Sequence, residues 1–357
     1  MTERDAVTPT TFDDYLLKHA AKAFFSGPAL RGEVVARLPR LLARMVACRA
    51  MRAERAKRGL HTPALLFLAV TGICNLRCGH CYTRGYRSGH MDLALARRIL
   101  TEAHDLGVST IVVSGGEPLL HREFFDLVRA MPNVPFIVFS NGKLVPAFVE
   151  DGLASPNMLW SISVDGPREA NDARRGEGTY QIVCEAMAAL KSQGLPFGFA
   201  ATLAGNNVVP ALSLEFVTEM AERGSRTGFV LEQIPSPPAD PPVGRQISAR
   251  LAAVRQKSPI PLIGFPADEP LYGGCQAGGK GMLHISPEGA VEPCPASRVA
   301  VNSLTEVSLA EALANPFLRD LRRKGEELSE DAQPCHHVGD TAPLQAIMAD
   351  YGARVTG

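Results

Sequence analysis

The sequence of 357 residues lacks any apolar run of the roughly 18–20 residues that would cross a bilayer, and its start, MTERDAVTPT, lacks the apolar core of a signal peptide. It also lacks an excess of charge, because 37 Lys and Arg balance 37 Asp and Glu. This balance argues against nucleic-acid binding through a broadly basic surface. These absences predict a globular protein of the cytoplasm, where cysteines are usually reduced. The eight cysteines therefore need a role other than disulfides.

Positive charge is concentrated near the amino terminus, where residues 1–60 carry 12 Lys and Arg but 6 Asp and Glu. Apolar residues recur at helical spacing from Val34 to Met45, with arginines between them, so residues 1–62 are predicted to be helical. Two interpretations are open. The helix packs on the main domain with its arginines outward, which Pro39 favours, or residues 31–58 make a peripheral membrane or partner contact.

Short apolar runs alternate with helix-like stretches between residues 63 and 234. Six such strand–helix units predict an α/β fold with a parallel sheet that curls towards a barrel. The helical candidates include Leu93–Leu106 and Tyr180–Lys191. The runs predicted as strands are Ala64–Val70, Thr110–Ser114, Val134–Ser140, Met158–Val164, Pro196–Thr202 and Gly228–Ile234.

Four polar loops follow the first four predicted strands in turn: TGICNLRCGHCY, SGGEP, SNG and DGP. In parallel α/β folds the chemistry lies at the carboxyl ends of the strands. We therefore expect these loops to converge on one site. After residue 234 the alternation stops at a proline-rich connector, so residues 235–357 are predicted to form a linker and a small second domain with a hairpin around Pro287-Glu288-Gly289.

Cys74, Cys78 and Cys81 form a C-x3-C-x2-C motif on the first of these loops. Three thiolates this close suit a soft metal centre. A closed zinc site needs four ligands, usually in two pairs, whereas an iron–sulfur cluster with one open iron needs three. His80 is poorly placed as a fourth ligand because it adjoins Cys81. The count favours the open cluster over zinc and over reduced surface thiols.

These motifs together resemble the radical S-adenosylmethionine (SAM) superfamily. The resemblance covers roughly residues 64–234 and implies a partial (β/α)6 TIM-like barrel whose open side admits substrate. The motifs that carry it, in the family's order, are the cysteine motif with Tyr82, then Gly115-Gly116-Glu117-Pro118, Ser140-Asn141-Gly142, Ser163-Val164-Asp165-Gly166 and NDARRGEGTY at 171–180.

The resemblance implies a [4Fe–4S] cluster on the three cysteines, with its open iron bound by the amino and carboxylate groups of SAM. An electron from a reductase, a flavodoxin or a ferredoxin then splits SAM to a 5′-deoxyadenosyl radical, which takes a hydrogen atom from substrate. The protein supplies orientation and excludes competing reactions. The implied cofactor contacts are Tyr82, Gly115, Gly116, Glu117, Ser140, Asn141, Ser163, Asp165 and Arg175.

Several of these residues also have a structural interpretation. The two glycines of GGEP let backbone approach the methionyl amino group, while Glu117 either binds cofactor or braces the strand end. Arg175 pairs with the cofactor carboxylate or is a plain surface arginine. The SNG and DGP loops are also good turn sequences. Thr202 and Asn206 are weaker candidates for a contact with adenine.

Among the remaining cysteines, Cys48 and Cys184 fit as small core residues. Cys275 and Cys294, with 18 residues between them, lie in a segment that resembles the start of a SPASM/twitch extension, with Cys335 further on. That extension binds auxiliary iron–sulfur clusters through four or seven cysteines.

Three cysteines imply at most one auxiliary cluster. Its fourth ligand would be His336, His337, solvent or the substrate. A zinc site of the Cys3His type and the absence of any metal are the alternatives. Such a cluster would accept an electron from a substrate radical, orient the substrate or hold the domain together.

Relatives with this extension modify peptides or oxidise small metabolites. Peptide-modifying members often carry an amino-terminal winged-helix domain with strands, whereas residues 1–62 are predicted to be helical. A small-metabolite or lipid-like substrate is therefore favoured, with a peptide maturase as the alternative. A non-catalytic electron-transfer or scaffold protein is the alternative of another class, against which the GGEP and SNG loops argue because electron transfer needs no cofactor cradle.

Overall fold

A computed structural model describes residues 11–79, 81–233, 241–329 and 342–356 of the chain. Its centre is a curled sheet of nine strands in the order β7-β6-β5-β4-β3-β2-β1-β8-β9, in which every pair is parallel except β8 with β9. The strands are β1 Leu65–Ala69, β2 Thr110–Ser114, β3 Phe136–Ser140, β4 Met158–Ser163, β5 Phe197–Leu203, β6 Gly228–Glu232, β7 Leu262–Phe265, β8 Met282–Ile285 and β9 Val291–Glu292; β10 Val299–Ala300 and β11 Arg354–Val355 form a separate antiparallel pair.

Helices cover the outer face of the sheet and both of its ends. Their starts follow local capping signals: Asp92 accepts a hydrogen bond from the Leu95 amide, and Ser308 with Glu311 forms a capping box. The helices are α1 Phe12–Phe25, α2 Gly32–Lys57, α3 Leu93–Leu106, α4 Phe124–Ala130, α5 Val149–Leu153, α6 Arg168–Arg175, α7 Thr179–Ser192, α8 Val208–Ala211, α9 Leu214–Glu222, α10 Pro241–Arg255, α11 Leu309–Leu313, α12 Pro316–Ser329 and α13 Ala342–Tyr351.

The predicted α/β fold with a partial barrel is confirmed, and all six predicted strands form. The structure adds two strands that the sequence assigned to a second domain. β7 pairs with β6 at one edge, and β8 pairs with β1 at the other, so the sheet continues past the predicted boundary at residue 234. The predicted hairpin is β8–β9, and it joins the barrel through β8. No helix in the described ranges is long and apolar enough to cross a membrane.

α1 is joined to the barrel by buried hydrogen bonds. Arg226, 5% exposed, donates to the backbone carbonyls of Ala23 (3.1 Å), Phe24 and Pro28 (2.5 Å) at the end of α1. Tyr15 donates to the carboxylate of Asp268, which also binds Arg255. α1 is therefore joined both to the turn before β6 and to the segment after β7.

The arginines of α2 do not all face solvent. Arg44, Arg52 and Arg55 donate to the carbonyls of Val108, Gly107 and Asp105, at and just beyond the carboxyl end of α3. Cations are favourable there because unpaired carbonyls carry partial negative charge. α2 also continues through Pro39 without a break. These contacts support packing on the main domain, and a membrane contact through residues 31–58 stays a prediction.

Candidate active site

The curled sheet encloses a cavity of about 1290 Å³ that extends from the carboxyl ends of the strands to their amino ends. The three cysteines of the C-x3-C-x2-C motif line it at the carboxyl end, together with residues of the loops after β2, β3 and β4. The convergence predicted from the strand order is therefore present. The predicted site residues that line the cavity are Cys74, Cys78, Cys81, Tyr82, Gly115, Gly116, Ser140, Asn141, Ser163, Arg175, Thr202, Cys275 and Cys294.

The two glycines after β2 bring the GGEP loop against the cysteine loop. A β-carbon on Gly115, whose φ is +110°, would lie 2.4 Å from the Thr71 carbonyl oxygen, and one on Gly116 would lie 2.1 Å from that of Ile73. The Gly116 amide donates to Thr71 and the Glu117 amide to Ile73. The backbone of the cysteine loop therefore occupies the space where side chains at these two positions would lie. This packing is separate from any contact that the glycines make with the cofactor.

Glu117 has no exposed surface, and its carboxylate accepts three hydrogen bonds. The donors are the Leu119 amide (3.2 Å), the Asn141 amide (2.8 Å) and the Ser140 hydroxyl (3.0 Å). Burial raises its pKa to about 7, against these donors, which lower it. Glu117 does not line the cavity and ties the loop after β2 to the loop after β3, which is the bracing interpretation.

Asn141 and Tyr82 each link the cysteine loop to a neighbouring motif loop. The side-chain Nδ2 of Asn141 donates to the Asn75 side-chain oxygen at 2.7 Å and lies 3.8 Å from the Cys74 sulfur. The Tyr82 hydroxyl accepts from the Gly115 amide at 3.2 Å. Both residues therefore position the first cysteine and the glycine loop relative to each other.

Asp165 is fully buried behind the cavity wall and organises two arginines. Arg175 binds it in a bidentate pair at 2.7 and 3.2 Å, and the Arg174 Nε lies 3.5 Å away. Its Oδ1 also accepts from the Thr202 amide at 2.7 Å. The carboxylate raises the pKa of Arg175, against a lowering by burial, so this side chain stays a cation at the wall beside Cys78. Asp165 acts here through the arginines that face the cavity.

Asn206 is exposed and lines a separate, smaller cavity of about 360 Å³. Its neighbour Asn207 is the buried residue, and its amide donates to the carbonyls of Asp165 and Thr202 at 2.9 Å each. Asn207 and Arg174 were not predicted from the sequence, although each adjoins a predicted residue. Burial distinguishes Asn207 from the exposed Asn206, whereas Arg174 and Arg175 are both partly buried.

Two of the three carboxy-terminal cysteines lie at the same cavity. Cys294 is buried, Cys275 is partly buried, and the Cys275 thiol is hydrogen-bonded to the Glu269 carboxylate. Burial raises the pKa of Cys294 to about 12 and that of Cys275 further, so both favour the neutral thiol unless a metal binds them as thiolates. Cys335, His336 and His337 lie outside the described residues, as does His80.

The carboxy-terminal hairpin also braces the cysteine loop, through residues that sequence analysis did not select. Glu292 accepts from Tyr86 at 2.9 Å and pairs with His284 at 2.5 Å, and all three are buried. Arg298 donates to the Arg84 carbonyl at 2.8 Å and lies 4.9 Å from the centre of the Tyr86 ring. These contacts place the end of the cysteine loop against β8 and β9.

The three cysteines of the motif lie together at the carboxyl end of the cavity. Cys74, Cys78 and Cys81 all reach the cavity without being fully buried. Three thiolates are a donor set that fits an iron–sulfur cluster with one open iron. Burial raises the pKa of Cys78, and Arg175 and Arg174 oppose this rise. Nearby cations favour the thiolate, which is the form that binds iron.

Comparison with known proteins identifies the domain. The family model described as "Radical SAM superfamily" matches residues 68–215. The chain is 32% identical over 161 residues to a pre-heme d1 synthase of Dinoroseobacter shibae. This match covers 43% of this chain and 39% of that protein. It is 24% identical over 337 residues to an AdoMet-dependent heme synthase of Methanosarcina barkeri, covering 82% of this chain and 95% of that protein.

Among solved structures, Streptococcus suis SuiB bound to its precursor peptide SuiA superposes with a TM-score of 0.61. The sequence identity is 16%, and the match covers 78% of this chain and 71% of SuiB. At this identity the likeness concerns the fold alone, which it confirms as an α/β half-barrel with a curled parallel sheet.

Proposed function

Because residues 68–215 form a domain of the radical SAM superfamily, we propose that the whole protein is an enzyme that cleaves SAM and takes a hydrogen atom from a small-metabolite or lipid-like substrate. The observation that carries this proposal is the cavity. It is larger than the 300–1000 Å³ of usual ligand pockets, and the three cysteines and the four motif loops meet at one end of it. It therefore has room for a cofactor and a substrate together.

When bound, the [4Fe–4S] cluster and SAM supply the radical that abstracts hydrogen. In the proposed arrangement Cys74, Cys78 and Cys81 hold the cluster. Ser140, Asn141, Ser163 and Tyr82 line the cavity beside them and would orient SAM. The guanidinium of Arg175, held by Asp165, would face the cofactor carboxylate. Glu117 would keep the loops after β2 and β3 together without touching the cofactor.

A peptide maturase is the alternative within the same chemistry. SuiB is a neighbour in fold and its structure holds a peptide, but a likeness at this identity says nothing of the substrate of this chain. Residues 11–57 here form two helices packed on the barrel, and the described residues contain no strand before β1.

Cleavage of SAM tests the proposed activity directly. Anaerobically reconstituted protein with dithionite and SAM should release 5′-deoxyadenosine. Cys78→Ala should reduce the amount by about a hundredfold or more, because the two thiolates that remain are too few to hold the cluster. Cys184→Ala is the matched control, since this cysteine lies on α7 away from the cavity. No cleavage by wild-type protein with a complete cluster would refute the radical chemistry and leave the electron-transfer alternative.

The second part of the proposal is one auxiliary iron–sulfur cluster on Cys275, Cys294 and Cys335. Iron analysis should show that the Cys74/Cys78/Cys81 triple alanine variant keeps about half of the wild-type iron, as expected for two clusters of equal size. Cys294→Ala should lose the half of the wild-type iron that belongs to the auxiliary cluster, which is the half that the triple variant keeps. A triple variant with no iron would contradict the auxiliary cluster, and retained zinc would support the Cys3His site instead.

A further inference from the structure

The wall of the cavity changes character from one end to the other. Side chains alternate along each strand, so every second residue faces inward. At mid-height the inward side chains are apolar on every strand from β1 to β7. They are Phe67, Val112, Ile137, Leu159, Ala200, Phe229 and Ile263. The charged lining residues lie above them, at the carboxyl end, except for Arg226, which lies at the amino end. Those at the carboxyl end are Arg84, Arg174, Arg175, Glu232, Glu269 and Arg298.

At the amino ends of the strands the cavity is closed by α1 and α2. The side chains that these two helices contribute to the lining are apolar except for His19, and the α2 members repeat every three or four residues on one side of the helix. Most of them are only partly buried, so folding leaves apolar surface facing an interior space. The lining residues of the two helices are Leu16, His19, Ala20, Ala23, Phe24, Val34, Leu38, Leu41, Leu42 and Met45.

Several polar side chains at this end already have protein partners. Arg226 binds the end of α1, as described above. The Asn157 amide donates to the carbonyls of Met131 and Val134, and the Thr227 hydroxyl donates to that of Pro261. The Nδ1 of His19 bonds the Tyr15 carbonyl, and burial lowers its pKa towards the neutral form. A ligand here therefore meets mostly aliphatic and aromatic surface.

We propose that the half of this cavity at the amino ends of the strands binds the hydrocarbon chain of an amphiphilic substrate, which is an acyl or isoprenoid chain. The polar, reacting end of this substrate lies at the cysteines. The inference rests on the proposed function and narrows its substrate class. The five-residue strands span roughly 17 Å, which suits an extended chain better than a compact polar metabolite. An apolar chain would bury the leucines of α2, whereas a polar one would lose its hydrogen bonds to water without replacement.

Binding of dansyl-labelled undecanoic acid to the anaerobically purified protein tests this inference without requiring turnover. The emission should rise saturably. In competition with octanoate, laurate and palmitate, the affinity of the competitor should rise about two- to fourfold for each added methylene until the cavity is filled. Leu42→Trp places a larger side chain in the cavity and should weaken binding about tenfold. Leu38→Trp, one turn earlier on the same helix, should have the same effect.

Val46→Trp is the matched control, because Val46 is on the same helix, is 56% exposed and does not line the cavity. It should leave binding unchanged within about twofold. Binding by Cys78→Ala protein that cannot cleave SAM would support the chain site even if the proposed activity failed. Cleavage of SAM by protein that shows no saturable binding, or equal binding by Leu42→Trp, would overturn the site and leave the activity standing. Displacement by coproporphyrin but not by the alkanoates would assign the space to a planar macrocycle and also overturn it.

Discussion

Gly116→Ala is expected to remove most of the iron–sulfur absorbance and most of the SAM cleavage. The added β-carbon would lie 2.1 Å from the Ile73 carbonyl oxygen and 3.1 Å from the Cys74 amide nitrogen. Both are backbone atoms, so the overlap is relieved only by moving the loop that carries the first cysteine. We expect a loss of about 2–3 kcal/mol in the free energy of unfolding, the usual cost of overpacking, in addition to the loss of iron.

Gly89→Ala is the matched control for this substitution. Gly89 lies between β1 and α3, in the segment that also carries the three cysteines of the motif. Its carbonyl accepts from the Gly72 amide, and a β-carbon there would meet nothing within 4 Å. Its iron content, measured by colorimetric assay, and its SAM cleavage should equal those of the wild type. Wild-type iron and cleavage in Gly116→Ala would show that close packing of the two loops is not needed for the cluster.

Asp165→Asn is expected to destabilise the protein by about 3–5 kcal/mol and to abolish binding of SAM. The substitution removes the only carboxylate that pairs with Arg174 and Arg175 in the described part of the chain, and it leaves these largely buried cations without a counter-charge. Removing one partner of a buried ion pair costs this much because the other charge stays desolvated. Denaturant unfolding and equilibrium binding of SAM measure the two effects.

The control for Asp165 is Asp151→Asn, which breaks a pair with Arg129 whose side chains are 33% and 40% exposed. An exposed pair contributes less than about 1 kcal/mol, so this variant should remain close to the wild type. Adding Arg175→Gln to Asp165→Asn should restore part of the stability, because one unpaired cation is then gone. Unchanged stability of Asp165→Asn alone would mean that the arginines find other partners.

Much of the fold was predictable because local pattern and tertiary structure agree in the middle of the chain. Strands such as β2 and β4 are short apolar runs, and parallel strands place their following loops at one edge whatever the details of packing. The meeting of the cysteine, GGEP, SNG and DGP loops followed from this. The role of Glu117 could not be predicted in this way. The GGEP motif is the same whether its glutamate binds a cofactor or is buried and accepts hydrogen bonds from three neighbouring donors.

The sequence by itself determined where the candidate site lies, at the carboxyl end of the barrel, since three cysteines at fixed spacing and the order of four loops are local properties. The tertiary structure alone decided that β7 and β8 complete the sheet, because strand partners distant in sequence are chosen by exposed edges and not by spacing. It also decided what the basic amino-terminal segment does. Its arginines bind the carbonyls at the end of α3, and its leucines close the cavity, since which face of a helix is buried depends on the surface it meets.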